Sequence, residues 1–212
     1  MIKQTIRKKP DLLHEKQYNG VVAGIDEVGR GPWAGPVVAA AVVFHSYELP
    51  ETFTRYINDS KKLLEKRRLE VYEALVSSEY CSYSLGQASV EEIDLLNIRE
   101  ATFLAMKRSF QGLGPHVDVA LIDGNASPGL PCQTVTIIGG DQVSLTIAAA
   151  SIIAKVYRDN LMGQLAADFP AYGWETNAGY GTKHHQDALR KHGVTTHHRR
   201  SFAPIRELLE AA

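Results

Sequence analysis

Val21-Val22-Ala23-Gly24-Ile25-Asp26-Glu27-Val28-Gly29-Arg30-Gly31-Pro32 starts as an apolar run and ends in two acids and a Gly-Arg-Gly turn. A second apolar run, Val37 to Phe44, follows a link rich in Gly and Pro. The two runs predict neighbouring strands joined by a tight connection. Further along, Leu64 to Ser78 has mostly helical apolar spacing with charges between, as a surface helix requires. Cys81 to Gln87 alternates as a third strand, and Ser89 with Glu92 forms a capping box that opens a long helix to about Phe110. Val117 to Asp123 and Gln133 to Ile138 read as strands, the second leading into Gly139-Gly140-Asp141. Ser144 to about Asp168 reads as a long buried helix ended by Pro170, Gly173 to Gly181 as a loop, and Thr182 to Lys191 as a short helix closed by Gly193. Pro204 opens a last helix. Repeats and linkers are absent, which predicts one α/β domain over 1–212, with a core at about 20–168 and a helical C-terminal segment at about 169–212.

The chain has 212 residues, 44% apolar and 22% charged, enough for one real core. Its 23 Lys and Arg against 24 Asp and Glu give a net charge of −1, which excludes an all-over basic coat for anionic polymers. A nucleic-acid partner would require segregated charge. Cys81 and Cys132 form no Cys-x-x-Cys pair, which excludes a zinc finger or disulfide framework and predicts a reduced, cytoplasmic protein. No secretory or membrane-spanning stretch is expected, since the apolar runs fall short of the roughly 20 residues that cross a bilayer.

The anomaly lies in the acids. Asp26 and Glu27 end a run that should be buried, Asp123 follows Ala120-Leu121-Ile122, and Asp141 ends another strand just before an apolar helix. Desolvating a lone carboxylate costs several kcal/mol, so each needs donors, a counter-ion or a metal. Only Arg30 lies close in sequence to any of them. Divalent cations are the natural compensation, and all-oxygen ligation selects Mg²⁺ or Mn²⁺ over zinc. Successive strand residues face opposite ways, so Asp26 and Glu27 converge only if the chain leaves regular extension, which Gly29 and Gly31 permit. Taken singly, each acid also fits a turn aspartate at a strand end; four in such contexts weaken that alternative.

The block Gly24 to Pro32, continued by Ala34-Gly35-Pro36-Val37-Val38-Ala39-Ala40-Ala41, resembles the N-terminal signature of the ribonuclease HII family. Asp59-Ser60-Lys61-Lys62-Leu63, Ile122-Asp123-Gly124-Asn125, Ala148 to Asp159, Gly179 to His185 and His198 to Pro204 resemble its later blocks in their usual order, over roughly residues 20–208. The resemblance implies a ribonuclease H-like fold, a mixed central sheet flanked by helices, with a C-terminal helical extension that helps hold a duplex. It implies a metal-dependent endoribonuclease that hydrolyses the RNA strand of RNA–DNA hybrids. Such an enzyme also cuts 5′ of single ribonucleotides embedded in duplex DNA, leaving 3′-hydroxyl and 5′-phosphate ends, in DNA replication and repair. By motif match the catalytic and metal-binding residues are Asp26, Glu27, Asp123 and Asp141, holding two divalent ions about 4 Å apart. Analogy with the wider fold puts Asp26 between both ions, Asp141 on the water-activating one, and Glu27 with Asp123 on the leaving-group one. Gly29-Arg30-Gly31 would contact the 2′-hydroxyl, and Tyr180 would stack on the deoxyribose after the ribonucleotide. Lys61 would contact phosphate. A monomer is expected.

Other features weigh less. The basic run at 54–68 also fits a solvated helix face. Five of the eight histidines lie between His184 and His198, but with no cysteine pair and no His-Glu-x-x-His zinc is disfavoured. They read instead as imidazoles on a duplex-facing surface, with Arg199 and Arg200 as phosphate contacts and His184 and His185 on a helix surface. Lys155, Arg158 and Asp159 read mostly as structure. Trp33 stands where the family often has Leu, and Gly139 where it often has Lys. The acidic stretch Glu79 to Glu100 is expected to face away from substrate. Two rivals remain. Ribonuclease HIII shares the signature but carries an extra domain ahead of it, and 23 residues precede Gly24 here. A non-catalytic hybrid-binding module would gain nothing from four clustered acids.

Overall fold

A computed structural model of the chain describes residues 9–58, 60, 63–114 and 116–211. Five strands form one mixed sheet: β1 (Val22–Val28), β2 (Val37–Phe44), β3 (Cys81–Ala88), β4 (Val119–Asp123) and β5 (Gln133–Ile137). Their order is β3-β2-β1-β4-β5. β1 pairs antiparallel with β2 and β2 with β3, while β4 and β5 add in parallel on the other side of β1. Eight helices accompany them among the described residues: α1 (Glu51–Thr54), α2 (Glu65–Val76), α3 (Val90–Leu96), α4 (Ile98–Gln111), α5 (Leu145–Asp168), α6 (Trp174–Asn177), α7 (Lys183–His192) and α8 (Ala203–Glu210).

The expected strands, the buried helix and the C-terminal helices are all present. The long helix read from Ser89 to Phe110 is two helices. Asn97 takes φ 71° and ψ 163°, which no helix tolerates, and its side chain caps α4 by accepting from the amides of Arg99 and Glu100. The segment read as a loop from Gly173 contains the single-turn α6, preceded by a 3₁₀ turn at Pro170–Tyr172.

Small residues set the layer spacing. Ala39, Ala40 and Ala41 on β2 and Ala148, Ala149 and Ala150 on α5 are fully buried, so the two faces of the sheet take helices at close range. On one face Ala23, Ile25, Ala39 and Ala41 pack against Ala101, Ala105 and Met106 of α4. On the other, Val38, Ala40 and Val42 pack against Ala149, Ile152 and Ile153 of α5. A Cβ at Gly24 would overlap the backbone of Thr146 and Ile147, so only glycine lets α5 cross β1 there. α5 is apolar nearly all round its first turns, which is the pattern of a helix enclosed by protein. A third apolar cluster, with Trp174, Tyr172, Leu189 and Ile205, joins the C-terminal helices to Met162 near the end of α5. Among the described residues no helix is long and apolar enough to cross a membrane.

Candidate active site

β1 stays extended through Val28, so Asp26 and Glu27 point to opposite faces, contrary to the expectation that the chain breaks there to bring them together. The last parallel pair of β1 and β4 is Ile25 with Ile122, which places Asp26 and Asp123 side by side one step further on, both on the α5 face. Asp141 also differs from expectation. It does not end β5, but lies buried in a 3₁₀ turn, Gly140–Gln142, between β5 and α5. That turn is tied to Asp123, whose Oδ1 accepts from the Gly140 amide at 2.7 Å. Gly139 starts the turn at φ 65°, a left-handed conformation that glycine takes without steric cost. Asp26 and Asp123 thus share the C-terminal edge of β1 and β4, the turn that carries Asp141 is tied to that edge through Gly140, and Glu27 borders it from the α4 side. There it lines a cleft of about 440 Å³ with Arg30, Arg99, Asp123 and Asn125.

Electrostatics at this edge are unfavourable for anions. Burial holds the Asp26 carboxyl well above its usual range, and the neighbouring Glu27 and Asp123 push it further up. Among the described residues, hydrogen bonds oppose this: Ser151 and the Glu27 amide bond Asp26, the amide donating at 2.7 Å. Ser151 also pairs with the buried Ser60 hydroxyl, at 2.9 Å. Arg68 in turn donates to the Ser60 carbonyl. Neither serine was singled out by the sequence, although a serine in the apolar run of α5 was a legible signal. Among the described residues Arg30 supplies a basic partner at the edge, 3.2 Å from Glu27. A hard divalent cation suits this set in charge and in donor chemistry. No three of the described His, Cys, Asp or Glu side chains already stand together as a ligand set, so the fit is one of charge and oxygen donors.

The Gly-Arg-Gly turn is shaped from beneath by a residue expected on the surface. Arg199 is fully buried and contacts no phosphate-accessible surface. Its guanidinium donates to the carbonyls of Gly29 at 2.5 Å, Arg30 at 3.0 Å and Gly35 at 2.8 Å. In a trans peptide C=O and N–H point opposite ways. Drawing the Gly29 and Arg30 carbonyls inward therefore turns the Arg30 and Gly31 amides outward, where they can meet a hydroxyl or phosphate oxygen. Arg158, also buried, splints the next stretch through the carbonyls of Ala34, Pro36 and Ala178. A Cβ at Gly29, which has φ 93°, would overlap its side chain. Burial lowers the two guanidiniums to about 10 for Arg158 and about 9 for Arg199, so both remain cationic at neutral pH.

Tyr180 is 48% exposed and stands over the turn: a Cβ on Gly31 would be 3.4 Å from its Cε1. Trp33 packs its ring on Gly181, where no Cβ fits. Arg200 is exposed, and its amide is held by Asp94, which also takes the Ser201 amide and hydroxyl. Asp94 belongs to the acidic stretch expected to face away, yet it anchors the segment after Arg199. His185 is likewise not on a helix surface; it and His198 are buried together. Lys61 lies outside the described residues.

Comparison with known proteins adds to this geometry. The family model "Ribonuclease HII" matches residues 23–205. A ribonuclease HII from Paramagnetospirillum magneticum is 53% identical over 200 residues, covering 94% of this chain and 98% of that protein. Among solved structures, the ribonuclease HII of the PCNA:RNase HII complex from Archaeoglobus fulgidus aligns with TM-score 0.69 and 26% identity, covering 85% of this chain and 94% of that one. Bst-RNase HIII in complex with Mn²⁺ shares the fold at TM-score 0.76 and 18% identity, covering 96% of this chain and 74% of that one. With its acids gathered at one edge of a mixed ribonuclease H-like sheet, the chain belongs to the ribonuclease HII family and is a ribonuclease H type endonuclease.

Proposed function

We propose that the enzyme hydrolyses the RNA strand of RNA–DNA hybrids and cuts 5′ of a single ribonucleotide in duplex DNA, leaving 3′-hydroxyl and 5′-phosphate ends. The observation that carries this is the adjacency of an acidic edge to a turn whose amides face outward beside an exposed tyrosine. Asp26, Glu27, Asp123 and Asp141 would hold the cations. Two hard divalent ions, Mg²⁺ or Mn²⁺, supply Lewis acidity and charge neutralisation at the scissile phosphate when bound.

The chain's own residues divide the remaining work. The Arg30 and Gly31 amides and the absence of a side chain at Gly29 and Gly31 allow close approach to a 2′-hydroxyl, the group that separates RNA from DNA. Tyr180 stacks on the following deoxyribose, a contact that a hydroxylated neighbour would crowd. Arg30 and Arg200, both exposed, are placed to contact phosphates and position the duplex without reading its sequence. The 169–212 segment braces this surface as part of a single catalytic domain.

The test is nicking of duplex DNA that holds one ribonucleotide, with Mg²⁺ or Mn²⁺, with EDTA, and with Asp26→Asn. Expected are a single cut 5′ of the ribonucleotide, no cut in EDTA, and a loss of at least about 10³-fold in Asp26→Asn. Tight binding of the duplex with no metal-dependent nick would overturn the proposal.

A further inference from the structure

Beneath Tyr180 two imidazoles touch. His185 Nε2 and His198 Nε2 are 3.0 Å apart, so one must carry a proton and the other must not. The groups at the two ends decide which. His185 Nδ1 faces the Tyr180 carbonyl at 2.9 Å, and a carbonyl only accepts, so Nδ1 bears hydrogen. The indole N–H of Trp174 points at His185 Nε2 from 3.3 Å, and an indole only donates, so Nε2 is a lone pair. At the far end the Thr195 amide donates to His198 Nδ1 at 3.0 Å, so that nitrogen is unprotonated and the hydrogen sits on Nε2. The independent assignments agree: His198 donates to His185, and His185 donates to Tyr180.

We propose that His185 and His198 form a neutral, one-directional hydrogen-bond relay that positions Tyr180 against the Gly-Arg-Gly turn and so sets junction selectivity. The relay ends on Thr195 and His198, next to Arg199, and the backbone there is joined to the turn: the Arg199 amide donates to the Trp33 carbonyl and the Gly35 amide to the His197 carbonyl. Tyr180 is thereby fixed to the segment that also clamps Gly29 and Arg30. Protonating either ring would set N–H against N–H, at Trp174 and His198 for one or at Thr195 for the other. Burial lowers both imidazoles, His198 to about 3, in keeping with a relay that stays neutral. Both histidines are positioning residues, and the proposal rests on the reading of Tyr180 as the residue that meets the sugar.

Two measurements test it. Long-range ¹H–¹⁵N spectra at pH 7 should show His185 as the Nδ1–H tautomer and His198 as the Nε2–H tautomer; the reverse tautomers, or a charged ring, overturn the relay. The second compares His185→Asn, whose amide nitrogen replaces Nδ1, with His185→Gln, whose amide reaches only the Nε2 position. Expected is a ratio of single-ribonucleotide to continuous-hybrid cleavage within about twofold of the parent for Asn, and roughly tenfold or more lower for Gln. Equal ratios for the two variants overturn the proposal. Tyr180→Ala, measured alongside, separates the two claims: an unchanged ratio there defeats the junction reading. The relay is then decided by the tautomers and by whether His185→Gln shifts the Tyr180 amide resonance.

Discussion

The edge that carries Asp26, Asp123 and Asp141 and the underside of the Gly-Arg-Gly turn face the same physical problem with opposite signs. Each buries charged groups that need partners of opposite polarity. Beneath the turn, Arg199 and Arg158 solve it with backbone: their N–H groups take carbonyls from Gly29, Arg30, Ala34, Gly35, Pro36 and Ala178. At the acidic edge a few donors, from Ser151 and the amides of Glu27 and Gly140, do not offset crowding by like charges. A guanidinium brings five donors in a planar fork and can be satisfied by a folded backbone. A group of carboxylates offers only acceptors, and a hard cation is the complement that suits them. One region is therefore complete as folded, and the other is built to receive something.

The largest effect should come from breaking the complete region. Replacing Arg199 by Met removes the fork and strands three carbonyls, and urea unfolding should show a loss of about 3–5 kcal/mol. Arg199→Lys keeps the charge without the fork and should fall between Met and the parent. Parental stability in Arg199→Lys, with weaker hybrid binding only, would restore the role of phosphate contact that the burial of Arg199 denies.

That misassignment shows where sequence reading ends. The acids were legible because a carboxylate closing a Val, Ile and Ala run conflicts with burial wherever the chain goes next, and the strands were legible from the same runs. Arg199 and His198 were not. In a stretch of His, Arg and Ser they look like solvated surface, and the carbonyls that bury Arg199 lie 164 to 170 residues away in the chain. The opposite faces of Asp26 and Glu27 followed from strand alternation alone; the glycines beyond them invited a break that β1 does not make. Asn97 was hidden inside a helical pattern because a left-handed residue that caps the next helix leaves the apolar spacing intact.

The comparison sharpens further with pH. His198 is held down to about 3 mainly by burial, whereas in the unfolded chain a histidine titrates near 6.5. Between those values the unfolded chain binds more protons, so this group makes the fold lose stability as pH falls. Asp26 has the opposite sign: its folded form keeps a proton that the unfolded chain has released, so without metal the fold gains stability as pH falls toward the ordinary carboxylate value. Urea unfolding in EDTA from pH 7 to 5 should therefore show a flatter decline in His198→Gln, by roughly 1–2 kcal/mol. An unchanged slope would mean that the imidazole pair is not held neutral.

The central claim is that the acidic edge is strained until a cation fills it, and metal-linked stability tests it most directly. Thermal unfolding of the parent and of Asp26→Asn would be followed in EDTA and across a Mn²⁺ titration. The expected result is that Asp26→Asn melts higher than the parent in EDTA, while Mn²⁺ raises the parent's midpoint and the substitution weakens that response by about tenfold or more in Mn²⁺ concentration. Parental melting at or above that of Asp26→Asn in EDTA, together with an equal Mn²⁺ response in both, would contradict it.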